Sequence, residues 1–180
     1  MLVNNPIYNK YQQIFVFFNK NLYFCKKIMK IERAIKPYTR KEVEQDTTSM
    51  YIFTDNTDRD SGKTPIPNDS WYSKKYGEGK HFPTMTTALI RGLNNAYPIT
   101  TQHWYNKEHK GINGRWNDED FEEFKKVIDD DFEEIHNNKN NYEKIIFPIN
   151  GIFNSKISQI NKIRTPKLYA YLMTKCKELL

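Results

Sequence analysis

The sequence has little of what would place it in several common classes of protein. Its two cysteines, Cys25 and Cys176, are widely separated, so they offer neither a disulfide framework nor a metal-ligand spacing, which suits a reducing compartment. The apolar run Ile14–Phe18 is far shorter than the roughly 20 residues that a membrane-spanning helix needs. No small-residue cleavage site of a signal peptide follows that run. We therefore expect a cytoplasmic protein without a membrane anchor.

Most of the chain also lacks a net charge. The formal charge is +6 over 180 residues, but residues 1–47 hold nine Lys/Arg against four Asp/Glu, and residues 48–180 hold nineteen against eighteen. A domain that grips phosphate backbones through charge should itself be basic, so a nearly neutral body argues against nucleic-acid binding. The sequence predicts a basic N-terminal extension over 1–47, outside the core, and one α/β ligand-binding domain over 48–180.

Several catalytic and cofactor motifs are absent. There is no Ser/His/Asp grouping, no cysteine nucleophile site and no Walker motif, and Gly77 and Gly79 do not follow a strand as a dinucleotide-binding loop requires. His103 and His109 are six residues apart without a nearby carboxylate pattern, so we predict no metal site and no cofactor. Whether the protein is an enzyme stays open.

Apolar runs typical of strands alternate with helical patterns along the body. The strands are predicted at Met50–Thr54, Ala96–Thr101 and Tyr142–Pro148. A short helix is predicted at 84–92, a long helix from 117 onward and a final helix from 165 onward. A capping box at Thr39 and Glu42 predicts one earlier helical turn. This order predicts a three-layer α/β domain around a mainly parallel sheet, with the Pro98-containing strand at an edge or end.

The predicted buried faces follow the helical period. In the long helix the apolar positions are Phe121, Phe124, Ile128, Phe132 and Ile135, and in the last helix they are Leu168, Leu172, Cys176 and Leu179. The carboxylates of the long helix are interpreted as a solvated face. Cys176 is interpreted as a small core residue.

Polar loops follow all three predicted strands, and ligands of α/β proteins bind beyond the carboxyl ends of strands. The first loop is also what an ordinary turn rich in Asp, Asn and Ser would look like, so both interpretations stand. The candidate ligand-binding residues are Asn56, Arg59, Ser61, Gly62, Lys63, Thr100, Thr101, Asn150 and Gly151.

Three segments resemble macro-like domains. They are Phe53-x-x-Asn56 with the following Gly62-Lys63, then Gly92–Thr101, and Ile145–Gly151, in the order and with the spacing of the ligand loops of that family. The chain as a whole is also similar to uncharacterised proteins of phages and their bacterial hosts.

The resemblance to macro-like domains implies binding of ADP-ribose or another phosphate-bearing nucleotide. Under that resemblance Asn56 orients the distal ribose, the amides around Gly62 and Gly151 face phosphates, and Lys63 or Arg59 offsets their charge. If chemistry occurs, as in an ADP-ribosyl hydrolase, Asp55 is the acid/base candidate.

A different class of function is an interaction module that binds a protein partner. Trp71, Trp104 and Trp116 would be its anchors, because large aromatic residues dominate many protein interfaces.

Overall fold

The fold is built on one parallel sheet. The computed structural model describes residues 29–57, 62–84, 86–103, 116–153 and 158–179. The strands are β1 Lys30–Arg33, β2 Ser49–Asn56, β3 Thr64–Pro65, β4 His81–Phe82, β5 Ala96–Gln102 and β6 Lys144–Phe147. The helices are α1 Arg40–Gln45, α2 Trp71–Tyr76, α3 Phe121–Asn138 and α4 Pro166–Glu178, with 3₁₀ helices at Thr87–Ile90 and Lys139–Asn141. Four strands pair in parallel in the order β1-β6-β2-β5, and β3 and β4 form a separate antiparallel ribbon.

Strand β2 lies inside the protein and has a core on each side. All eight of its residues are buried, as parallel strands covered on both faces require. Met50 and Ile52 belong to the core under α3 and α4, on what we call the first face of the sheet. Tyr51 and Phe53 belong to the core under α1, α2 and the 3₁₀ helix Thr87–Ile90, on the second face. The predicted three-layer α/β architecture with a parallel sheet is confirmed.

The long helix α3 packs on the first face as its pattern predicted. Phe124, Ile128, Phe132 and Ile135 are all buried there. The interpretation of its carboxylates as a solvated face is wrong for Asp131, which is fully buried. Asp131 accepts hydrogen bonds from the Thr100 amide at 2.7 Å and from the Tyr76 hydroxyl at 3.1 Å. Because β5 is an edge strand of the described sheet, its amide needs such a partner from outside the sheet.

The segment 30–45, which the sequence analysis assigned to the extension, contributes a strand and a helix to the domain. Strand β1 pairs with β6 through four residues, and Val43 of α1 is fully buried on the second face. The predicted capping box is confirmed, since Thr39 and Glu42 each cap the other's backbone amide. The strand escaped prediction because it is short and charged at three of four positions.

Helix α2 was not among the predicted elements. Ser70 caps it by accepting a hydrogen bond from the Ser73 amide at 3.1 Å. Pro65 and Pro67 precede this cap and do not interrupt the helix. The short helix predicted at 84–92 is the 3₁₀ helix Thr87–Ile90, followed by Gly92 at φ +84°.

Helix α4 begins after Thr165 as predicted, but another residue caps it. The Thr165 side chain makes no capping bond, and the carboxylate of Asp118 accepts from the Lys167 and Leu168 amides at 2.9 and 3.1 Å. Burial raises the pKa of the Cys176 thiol to about 12, which agrees with a packing role for this residue. No helix in the described ranges is long and apolar enough to cross a membrane.

A chain that begins at Met29 should be soluble and should melt at the same temperature as the full chain. The reason is that residues 1–28 differ in composition from the domain, whereas β1 begins at Lys30. Differential scanning calorimetry of the two chains measures this. A loss of several degrees would mean that the apolar run Ile14–Phe18 contributes to the core.

Candidate functional site

The carboxyl edge of the sheet carries the polar segments that the sequence singled out. The four strands end there at Arg33, Phe147, Asn56 and Gln102, in the spatial order of the sheet. The chain then passes from β2 to helices on the second face, and from β6 to α4 on the first face. Since β2 and β6 are neighbours, the departing chains diverge, and this divergence opens a crevice where open α/β sheets bind ligands.

A cavity of about 300 Å³ occupies this crevice. Its lining comprises Pro37, Tyr38, Thr84, Thr86, Thr87, Leu89, Pro148, Ile149 and Asn150. Thr87 closes its base, since the Thr87 hydroxyl accepts from the Thr54 amide at 3.2 Å and lies 2.7 Å from the Thr54 hydroxyl. The described lining contains no charged residue, and its threonine hydroxyls and the Asn150 amide lie among apolar side chains such as those of Leu89 and Ile149.

Tyr38 fixes one wall of this cavity. Its hydroxyl donates to the backbone carbonyl of Ile52 in β2, and its ring meets Tyr51 edge-on at 5.5 Å between centroids. Burial raises the pKa of the Tyr38 phenol far above its ordinary value, so the hydroxyl stays a donor at any physiological pH. The wall is therefore held in place by the sheet itself.

Asp55, the predicted acid/base, lies in a buried ion pair. Its carboxylate accepts from the Arg91 guanidinium, from the Tyr72 hydroxyl at 2.5 Å and from the Asn56 amide at 2.9 Å. Both side chains of the Asp55–Arg91 pair have zero exposure. A carboxylate that is fully buried and accepts hydrogen bonds from groups of the fold is not accessible to a ligand. The geometry gives Asp55 a structural role in place of the predicted catalytic one.

Three further predicted residues are buried at the ends of β2 and β5. Asp55 pairs with Thr100 and Asn56 pairs with Gln102, so Thr101 is an extra residue that forms a β-bulge. The hydroxyl of Thr101 is fully buried and has no hydrogen-bond partner among the described residues, which is uncommon for a polar group. Asn56, Thr100 and Thr101 thus shape this end of the sheet from inside.

The glycines predicted to face phosphates lie in different surroundings. Gly62 has φ +140°, and a Cβ there would lie 2.4 Å from the carbonyl carbon of Phe82, so this glycine lets the chain pack against the β3–β4 ribbon. Lys63 follows it and is exposed. Gly151 has φ +66° and its Cβ would lie 3.7 Å from Nη2 of Arg33, so it stands at the carboxyl edge as predicted.

Not all of the predicted residues can be placed. Asn150 lines the cavity beside Thr87. Arg59 and Ser61 lie outside the described residues, as do Trp104 and His109. The edge thus brings together the ends of β2, β5 and β6, whereas Gly62 belongs to the ribbon.

One pair at this edge was missed by sequence reasoning. The Thr57 hydroxyl lies 2.8 Å from Nδ1 of His103, and these are the first residues beyond β2 and β5. The imidazole is 5.6 Å from the Phe124 ring. The sequence drew attention to His103 only as a metal ligand. The usable signal was a hydroxyl and an imidazole that directly follow two neighbouring strands.

The tryptophans within the described ranges are packed into the domain. Trp116 is 3% exposed and its ring is 3.9 Å from that of Phe124. Trp71 stacks on Tyr97 at 5.0 Å and donates to the Leu93 carbonyl at 2.8 Å. Trp116 is therefore a core residue, whereas Trp71 keeps part of its surface exposed, so an interaction with a protein partner through the tryptophans stays a prediction.

A larger cavity of about 590 Å³ lies at the amino edge of the sheet. Two of its polar side chains, those of Asp46 and Asn95, are already used by the fold. Asp46 accepts from the amides of Thr48 and Ser49 and from the Tyr51 hydroxyl, and the Asn95 amide donates to three backbone carbonyls. We therefore favour the smaller carboxyl-edge cavity, which lies where α/β sheets bind ligands.

Fold and site together define an α/β protein with an uncharged cavity at the carboxyl edge of a parallel sheet. The chain belongs to DUF7831, a family of unknown function, whose match spans residues 33–175 and so begins inside β1. Neither the curated proteins nor the solved structures gave a match.

Proposed function

We propose that this domain binds a phosphate-bearing nucleotide, of the ADP-ribose kind, at the carboxyl edge of its sheet. The observation that carries the proposal is the cavity at the carboxyl edge, which is lined by the segments that follow β1 and β6 and adjoins β2 through Thr87. Its volume of about 300 Å³ is at the lower limit of ligand pockets, which suits one ring or sugar of a larger ligand.

The chemistry of the lining supports a sugar or base in the cavity. Hydroxyls from Thr84 and Thr86 and the amide of Asn150 can both donate and accept, as ribose hydroxyls and base edges require. The turn at Gly151, which has no side chain, leaves room for a ligand to approach the backbone. The phosphates would then extend along the edge, outside the uncharged cavity.

Asn150→Ala should weaken nucleotide binding by about two- to tenfold, because it removes one directional hydrogen bond. Asn150 is exposed, so the variant should keep its stability. Calorimetric titration with ADP-ribose, NAD and AMP, beside a single-stranded DNA oligonucleotide, measures the effect. Asn94→Ala is the matched control, since Asn94 is an exposed asparagine of the amino-edge cavity.

If Asn150→Ala and Asn94→Ala bind the nucleotide with equal affinity, the ligand does not bind in the carboxyl-edge cavity. Binding that is lost in Asn94→Ala and kept in Asn150→Ala would transfer the site to the amino edge. Absence of nucleotide binding by the unchanged protein would overturn the proposed function.

A further inference from the structure

The imidazole of His103 is fixed more firmly than an ordinary surface histidine. Its amide donates to Oε1 of Gln159 at 3.0 Å, and its carbonyl accepts from Nε2 of the same side chain at 3.3 Å. The side chain of Gln159 also accepts from the Trp116 backbone amide at 3.2 Å. The backbone amide of Gln159 donates to the Thr101 carbonyl at 2.9 Å. Gln159 therefore hydrogen-bonds the backbone around His103 in the way that a neighbouring strand would.

The ring is held as well as the backbone. Thr57 bonds Nδ1 from the end of the neighbouring strand, at 2.8 Å. Within the described part of the chain, Nε2 has no hydrogen-bond partner, and the residue is only partly buried. The β-bulge at Thr101, two residues earlier, sets the direction in which the chain leaves the sheet. An imidazole fixed at one nitrogen presents the other nitrogen in a defined direction.

We propose that Nε2 of His103 binds the anionic group of the nucleotide, a phosphate or diphosphate. This inference rests on the proposed function and places the phosphate within the same edge. The nucleotide cavity adjoins the end of β2 through the contact of Thr87 with Thr54, and the Thr57–His103 pair joins the ends of β2 and β5. The end of β2 is thus common to the two places, and a nucleotide that extends across it from the cavity would bring its phosphate to His103.

The arginine and lysine side chains at this edge are less suited to binding the anion. Arg33, at the end of the outer strand β1, is exposed, and Lys36 forms an exposed ion pair with Glu42 at 2.5 Å. Both are long side chains that must lose rotamer freedom to bind an anion. His103 has already lost this freedom, so its contact with an anion costs less entropy.

The direct test is a titration of the protein, labelled with ¹⁵N in its four histidines, with pyrophosphate at constant ionic strength. The imidazole signals are assigned with His103→Gln and with the control His81→Gln, which changes another half-buried histidine. We expect pyrophosphate to shift the Nε2 signal of His103 and to leave that of His81 in place. An unmoved His103 signal, or equal shifts of all the histidines, overturns the proposal.

A second measurement separates this proposal from the proposed function. AMP should bind the unchanged protein about tenfold tighter than adenosine, because a charge-assisted hydrogen bond is added. His103→Gln should remove this preference and leave the affinity for adenosine unchanged, and His81→Gln should keep both. If His103→Gln still binds AMP more tightly than adenosine, the proposed nucleotide site is retained and the proposed role of His103 is rejected. If neither compound binds the unchanged protein, both proposals fall.

Discussion

Arg91→Met should lower the free energy of unfolding by roughly 3–5 kcal/mol, because it leaves the buried carboxylate of Asp55 without its cation. Both partners have zero side-chain exposure, so water cannot replace the lost guanidinium. Arg91 also donates to the His81 carbonyl at 2.5 Å, which links the β3–β4 ribbon to the end of β2. Urea denaturation followed by tryptophan fluorescence measures the change.

Two further variants isolate the cause of that loss. Asp55→Asn combined with Arg91→Met should be more stable than Arg91→Met alone, because the double variant buries no unpaired charge. Lys75→Met breaks the more exposed pair between Lys75 and Glu134, whose side chains are 28% and 24% exposed, and should cost about 0–1 kcal/mol. If the double variant gains nothing, the loss comes from packing around residue 91.

Phe124→Ala should cost roughly 3–5 kcal/mol through the cavity that it leaves in the first-face core. The ring is 4% exposed and packs 3.9 Å from the ring of Trp116. It also lies 5.6 Å from the ring of His103, so its removal should loosen that imidazole as well. Equilibrium unfolding in urea gives the change in stability.

Glu123→Ala is the control for this variant, since Glu123 is exposed on the same helix and should be close to neutral. Similar losses for the two variants would mean that the helix contributes through its backbone and caps. They would also mean that the side chains assigned to its apolar face contribute little to the stability of the protein.

The parts of the fold that the sequence predicted are those in which periodicity and burial agree. Strands β2 and β5 contain continuous apolar runs, Met50–Phe53 and Ala96–Ile99, because both faces are covered, and α3 has a regular apolar face. Strand β1 was missed because its sequence Lys-Ile-Glu-Arg is that of a short edge strand. Its place beside β6 depends on pairing, which no local pattern reveals.

The candidate site was predictable in its location and less so in its residues. Polar loops after apolar strands indicated the carboxyl edge, where Asn150 and Gly151 lie. The buried roles of Asp55 and Thr100 were not visible, because their partners Arg91 and Asp131 are 36 and 31 residues away along the chain. Such partners are set by how helices pack on the sheet. A sequence pattern shows polarity and leaves open whether a polar side chain binds a ligand or another part of the fold.

The bond between Asp131 and the Thr100 amide has a consequence for the behaviour of the protein at high concentration. An unpaired strand edge is a template on which another chain can add a strand, and this is a common start of aggregation. At β5 an incoming strand would have to displace a buried carboxylate from the amide that it holds at 2.7 Å. Helix α3 therefore covers one face of the sheet and, through Asp131, also hinders the addition of a strand from another molecule at β5.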